Sequence, residues 1–155
     1  MATIKHNASG SILHNAAGNV VNECGGTECE SCIGVQPSSR TAIITGVLDG
    51  GCFCSALNDQ FILTDDPGIG GGPCQLVYLE ENFCGSDALT MTLGFFDGEI
   101  VFTLSIGALT GSVVFKRTAP AAPYDCDAES IGEYTLFQDT SSQCDFSGMT
   151  VEIAA

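Results

Sequence analysis

Residues 88–106 carry the clearest alternation of apolar and polar positions in the chain, ALTMTLGFFDGEIVFTLSI. The Asp97-Gly98 dipeptide divides this stretch, and such a dipeptide is typical of a two-residue hairpin turn. With a turn at that point, large apolar residues oppose one another on a single face: Phe95 and Ile100, Leu93 and Phe102, Met91 and Leu104, Leu89 and Ile106. Only a period of two sorts the residues in this way, so the pattern predicts an antiparallel hairpin with one buried face.

Shorter alternating or apolar segments on both sides of the hairpin predict further strands, at 40–47, 60–64, 75–80, 112–117, 132–138 and 148–154. Because segment 75–80 is apolar on both faces, we expect it to be a central strand. The connections are rich in glycine or proline, as in DDPGIGGGP at 65–73. About eight short strands separated by such turns are typical of an antiparallel β-sandwich or jelly-roll-like single domain.

The chain of 155 residues is expected to form one domain with an extended N-terminal arm. Residues 1–23 are polar, with asparagine and glycine turns, and form the predicted arm. Residues 24–155 form the predicted cysteine-rich β-sandwich domain. Since the arm has too little apolar content to fold alone, we expect it to become ordered against a neighbouring molecule.

The charge balance narrows the set of possible partners. Nineteen acidic residues stand against four basic ones, which gives a formal net charge of −15 at pH 7. Such a chain repels phosphates, so we expect no nucleic-acid partner and no anionic membrane surface. No apolar run is long enough to span a bilayer. Net charge of this size favours solubility, and the alternative is attachment to a basic partner or to divalent cations.

Nine cysteines predict disulfides formed in an oxidising compartment. The polar start of the chain does not resemble a secretory signal, which leaves three explanations: the thiols hold metal inside a cell, the protein is exported without a cleaved signal, or it is assembled inside the cell and oxidised only after release, as a virion protein would be. Two predicted strands have cysteines at their ends, where disulfides can form. Cys74 and Cys84 flank 75–80, and Cys126 and Cys144 flank 132–138. If extended, Cys52 and Cys54 share a strand face, and we expect them to reach two partners among Cys24, Cys29 and Cys32. The sequence leaves open which cysteines form disulfides with each other. Because the number of cysteines is odd, at least one remains a free thiol or forms a disulfide with another chain.

Zinc is the alternative use of these thiols. Cys29-x-x-Cys32 followed by Cys52-x-Cys54 approaches a four-cysteine zinc pattern, although the second pair is one residue too short. Cys24 is a substitute ligand. A redox role for Cys29-x-x-Cys32 is the weaker hypothesis, because no helix is predicted after it.

Other candidate chemistry is sparse. Asp65-Asp66 and the alternating acids Asp125, Asp127 and Glu129 suggest a calcium loop, without the spacing of an EF-hand. The only histidines, His6 and His14, lie in the predicted arm and are candidates for metal binding in a trimer. Since no nucleophile motif or general base accompanies them, we expect a protein that is not an enzyme.

The first residues, ATIKHNASGSILHNAAGNVV, resemble the N-terminal regions of tailed-phage virion proteins. Cys29-x-x-Cys32, TAIITGV, Cys52, LNDQFILT and the alternating last strand are similar to cysteine-rich β proteins from phages and environmental bacteria. The resemblance implies a virion structural protein on the particle surface: a capsid decoration or cement protein, a head or tail accessory protein, or a fibre-like module. We expect a decoration protein to bind the capsid through the arm, residues 1–23. We expect capsid or other virion proteins as partners, and self-association as a trimer or another cyclic oligomer. The alternatives are an extracellular binding module or adhesin for a glycan or host receptor, and a small zinc-binding protein.

Overall fold

A computed structural model describes residues 3–4, 22–23, 37–48, 52–72, 74–85, 87–96, 99–107, 112–118, 129–140 and 144–155. Two short strands, β1 (Thr3–Ile4) and β2 (Asn22–Glu23), pair with each other in a sheet of their own. The other eight strands are β3 (Ser39–Thr45), β4 (Gln60–Thr64), β5 (Gln75–Phe83), β6 (Asp87–Phe96), β7 (Glu99–Ile106), β8 (Ser112–Thr118), β9 (Gly132–Asp139) and β10 (Thr150–Ala154). The predicted strand segments are therefore confirmed to within a few residues at each end.

The hairpin register is confirmed pair by pair. Leu93 opposes Phe102 and Thr92 opposes Thr103, with all eight pairs of the β6–β7 ladder in the predicted alignment. The large apolar members of this ladder are at most 2% exposed: Leu89, Met91, Leu93, Phe95, Ile100, Phe102, Leu104 and Ile106. The Asp97-Gly98 turn itself lies outside the described residues. Burial of one complete face explains why the register is fixed, because a slip of one residue would expose this whole set.

The all-β, antiparallel class is confirmed, but the expected sandwich or jelly-roll arrangement is wrong. Each strand from β3 to β10 pairs with the next along the chain, and β10 also pairs with β3, so that a single sheet closes into a barrel of eight strands. A closed sheet has no central strand, so the prediction that 75–80 forms a central strand is also wrong. In a barrel of this size, inward side chains fill the interior, and here they form one apolar core.

One end of the barrel, which we call the disulfide end, holds the β3–β4 and β9–β10 connections. A disulfide between Cys54 and Cys144 joins these connections, with the two Cα atoms 5.7 Å apart. Cys52 and Cys54 lie in a short helix, α1 (Cys52–Ala56), rather than in a strand. The expected pairing of Cys54 with a cysteine of the 24–32 segment is therefore wrong. The helix turns Cys54 toward the core, where it packs among buried apolar side chains.

The opposite end, which we call the arginine end, holds Arg40 and Arg117. The buried Arg40 side chain donates a hydrogen bond from Nε to Ser130 Oγ at 3.0 Å, and Arg117 Nε donates to the Glu129 carbonyl at 2.9 Å. Burial raises the pKa of the Tyr134 phenol well above its ordinary value, and the two arginines oppose this shift only in part. The first and last barrel strands, β3 and β10, begin and end here side by side.

Candidate binding site at the seam between β4 and β5

The contact between β4 and β5, which we call the seam, differs from the rest of the barrel wall. A single residue pair, Thr64 with Val77, joins the two strands near the arginine end. Between that point and the disulfide end, the described residues of β4 and β5 form no further pair. The connection between them, 65–74, contains a 3-10 helix (Pro67–Ile69) whose first turn is capped by Asp66, with Gly68 N–H donating to Oδ1 at 2.7 Å. Ten connecting residues do not force the two strands into a full ladder as a two-residue turn does.

The residues that face inward from β5 show that the wall is open at the seam. Tyr78 opposes Met91 and Glu80 opposes Leu89, and both of these β6 residues point into the buried core. Tyr78 is nevertheless only partly buried, and the Glu80 carboxylate is exposed. A charged side chain at an inward position needs access to water. The divergence of β4 supplies that access.

Aromatic side chains close the inner side of the seam. The Phe61 ring of β4 contacts the Tyr78 ring edge-to-face, with centroids 5.2 Å apart, and lies 6.2 Å from the Phe83 ring. Both phenylalanines are almost fully buried. Edge-to-face aromatic pairs of this kind stabilise by about 0.5–1.5 kcal/mol beyond their area burial. Side-chain packing thus replaces part of the missing backbone ladder.

The solvent-facing opening of the seam, which we call its mouth, is negatively charged because Asp59, Glu80 and Glu81 are exposed there. Tyr78 Oη donates a hydrogen bond to Glu80 Oε2 at 2.5 Å. Burial, this hydrogen bond and the charges of Glu80 and Asp59 together raise the pKa of Tyr78 to about 12. Glu81 is exposed beside them. The phenol therefore stays protonated at neutral pH, and the local field favours a cationic partner.

The backbone of the seam offers hydrogen-bonding groups. Ile44 N–H donates to the Asp59 carbonyl, and Phe95 N–H donates to the Cys74 carbonyl. Since antiparallel ladders alternate, these bonds direct the peptide groups of Ile62 and Leu79 toward the seam. Across the seam the described residues pair only at Thr64 and Val77, although Ile62 opposes Thr41 and Leu79 opposes Thr90 on their other sides. Their side chains point outward, and Ile62 is 63% and Leu79 37% exposed. Open strand edges beside exposed apolar groups are a template for an added strand.

The candidate metal sites are not brought together in the described part of the chain. Cys54 is a half-cystine, Cys52 begins α1, and Cys29 and Cys32 lie outside the described residues, so the four-cysteine zinc set stays a prediction. Among the described residues, no group of three or more His, Cys, Asp or Glu side chains is arranged to hold a metal ion. Of the calcium candidates, Asp66 caps the 3-10 helix, while 125 and 127 lie outside the described residues, as do His6 and His14.

Sequence reasoning missed the seam, although one signal was present. In QLVYLEE the inward positions of β5 run Leu76, Tyr78, Glu80, so that the apolar period ends in a carboxylate. Within the described part of the chain, no helix is long and apolar enough to cross a membrane. Comparisons with known protein families, with curated proteins and with solved structures found no match.

Proposed function

We propose that the protein is a non-enzymatic structural component of a virion, a capsid decoration or cement protein or a head–tail accessory, which attaches through the seam. One observation carries the proposal: two strand edges face each other without a ladder, beside the exposed Ile62 and Leu79, in a barrel that is otherwise paired all round. Attachment by strand addition uses backbone hydrogen bonds for affinity and the flanking side chains for specificity.

The construction of the barrel supports a role outside the cell. The Cys54–Cys144 disulfide ties connections that are 90 residues apart in sequence, and Cys84 is also disulfide-bonded. Cross-links of this kind persist in oxidising surroundings and restrict the unfolded chain.

Particle association tests the proposal directly. Particles banded in a density gradient from the producing culture are probed for the chain, and purified chain is added back to particles stripped of it. We expect the wild type to band with the capsid and Ile62→Asp to bind at least about tenfold more weakly, since the change places a charge on an apolar contact. Ile131→Asp is the control, because it makes the same chemical change at another exposed isoleucine, which is 39% exposed at the arginine end against 63% for Ile62. Absence of the chain from particles, or equal binding by the two variants, contradicts the proposal.

One exposed aromatic ring keeps the adhesin hypothesis open to test. Phe137 is 62% exposed, and Lys116 Nζ lies 4.0 Å from its ring centroid, so one face of the ring is covered and the other is accessible. An accessible ring is a stacking surface for sugars. A reproducible glycan-array signal that Phe137→Ala abolishes and Ile62→Asp leaves intact would favour the adhesin over the virion component.

A further inference from the structure

We propose that the seam accepts residues 2–6 of a second copy of the chain as an added strand. The inference rests on the proposed function and specifies it: the strand that fills the seam on the particle comes from a neighbouring copy of the chain and not from a capsid protein. It follows from three independent observations: the backbone geometry of β1 and the seam, the distribution of charge, and the order of Ile4 and Lys5 in the sequence.

Within the donor segment, Thr3–Ile4 already form a strand, β1. β1 pairs with β2 on one side only, through Thr3 with Glu23 and Ile4 with Asn22. Its other edge has no strand partner among the described residues. Because β1 and β2 form a sheet separate from the barrel, the seam is not filled by β1 of the same chain. A second copy is therefore the source of the added strand.

Charge selects the same segment. The mouth of the seam is acidic, with Asp59, Glu80 and Glu81 exposed. The chain has four basic residues in all, and three of them are engaged within the barrel: Arg40 is buried and bonded to Ser130, Arg117 is bonded to the Glu129 carbonyl, and Lys116 lies on β8. Lys116 is also paired with Glu99 at 2.8 Å. Only Lys5, which follows β1 directly, remains to complement these carboxylates.

The order of an apolar and a basic residue in the donor segment matches the two faces of the seam, one apolar and one acidic. In an added strand, Ile4 and Lys5 point to opposite faces. With Ile4 on the outer face beside Ile62 and Leu79, Lys5 points inward toward the Glu80 carboxylate. The opposite orientation would place Ile4 beside Glu80 and leave Lys5 against apolar side chains.

An interface of this kind is head-to-tail, because the donor and the acceptor are different parts of the chain. Repeated from copy to copy, it closes into a ring when the rotation between copies allows it. The expected trimer or other cyclic oligomer is thereby given a specific contact.

Charge exchange in the full chain tests the inference. Sedimentation velocity at low salt, on the order of 100 µM protein, measures association of the wild type, Lys5→Glu, Glu80→Lys and the double variant. We expect each single change to weaken association at least about threefold, because it replaces an attraction by a repulsion, and the double variant to recover most of the loss. Glu133→Lys is the matched control: it makes the same charge change on exposed β9 and leaves association unchanged.

A wild type that stays monomeric overturns the inference, as does a double variant that recovers nothing or a control that weakens association as much as Glu80→Lys. Ile4→Asp gives a second measurement from the donor side, and unchanged association in that variant also overturns it. Particle binding is measured on the same variants. If particles bind while the chain does not self-associate, only this inference falls; if the chain self-associates without binding particles, only the proposed function does.

Discussion

The β6–β7 ladder and the β4–β5 seam join neighbouring strands of one barrel in opposite ways. The ladder aligns eight residue pairs across a two-residue connection, and its inward side chains are all large and apolar. The seam has one pair across a ten-residue connection, and its inward side chains on β5 include Tyr78 and Glu80. The comparison shows that a closed strand order does not make a uniform wall. The hairpin provides stability, and the seam provides a place to bind.

Amide hydrogen exchange gives the largest expected contrast between the two regions. Thr92 and Thr103 face each other in the ladder and exchange only by extensive unfolding, whereas the Ile62 and Leu79 amides point into the seam. Since protection ranges from nearly none to the full free energy of unfolding, we expect rates that differ by about a thousandfold or more. Equal protection, measured by NMR on the dilute monomer, would show that the seam is closed.

Truncation of the hairpin core is expected to cost the most stability. Phe102 is fully buried and contacts Phe115 edge-to-face, so Phe102→Ala should lower the free energy of unfolding by about 3–5 kcal/mol. Leu79→Ala, at the exposed edge of the seam, should lower it by less than about 1 kcal/mol. Denaturant titration measures both changes, and similar losses would contradict the contrast between the two regions.

Removal of the disulfide tests what supports the open side of the barrel. The seam opens toward the end that the Cys54–Cys144 bond ties together. Because the bond closes a loop of 90 residues, replacing both cysteines by alanine should lower the free energy of unfolding by about 2–5 kcal/mol. Exchange at Phe61, whose amide faces Ala42 in the β3–β4 ladder beside the seam, should accelerate more than exchange at Thr103. A uniform acceleration would show that the bond does not support the seam in particular.

At the disulfide end, the β3–β4 and β9–β10 connections approach each other closely at Gly46 and Gly148, so a side chain at Gly46 should lower the free energy of unfolding. Gly46 has φ of +81°, and a Cβ atom built there would lie 2.2 Å from the Gly148 carbonyl oxygen. Gly46→Ala should therefore destabilise the barrel by more than about 1 kcal/mol, because both the backbone conformation and the contact oppose a side chain. Gly70→Ala is the control for the conformation alone, since Gly70 also has a positive φ but no atom within 4 Å of such a Cβ. An equal loss in both variants would show that the contact with Gly148 adds nothing.

Alkaline pH provides the mildest test of the seam. The pKa of Tyr78 is raised from 10.0 to about 12 in the folded protein, so the unfolded state loses this proton first. The contribution of Tyr78 to the free energy of unfolding is therefore fully present below about pH 10 and is lost as the pH rises toward 12. Tyr78→Phe should lose less stability than the wild type between pH 9 and pH 11.5 in urea titrations. The same slope in both proteins would contradict the raised pKa.

Local pattern specified much of the fold. The Asp97-Gly98 turn and strict alternation determine the β6–β7 register, since every other alignment exposes apolar residues. Closure into a barrel depends on β3 meeting β10, more than 100 residues away, and a period of two says nothing about sheet curvature. The Cys54–Cys144 pair is one of very many possible connectivities. To predict the seam, one would need to know the path of β4 relative to β5. The glycine-rich connection between them does not specify that path.

The side-by-side placement of β3 and β10 has a practical consequence. Thr41 opposes Ala154, so the start and the end of the eight-stranded sheet are adjacent at the arginine end. In a chain without residues 1–38, a linker of a few residues would join them, and new termini opened at 108–111, between β7 and β8, would give a circular permutant with every pairing of the barrel strands retained. Such a permutant would present any fused cargo from the disulfide end instead, which makes the barrel a display scaffold with a choice of exit direction.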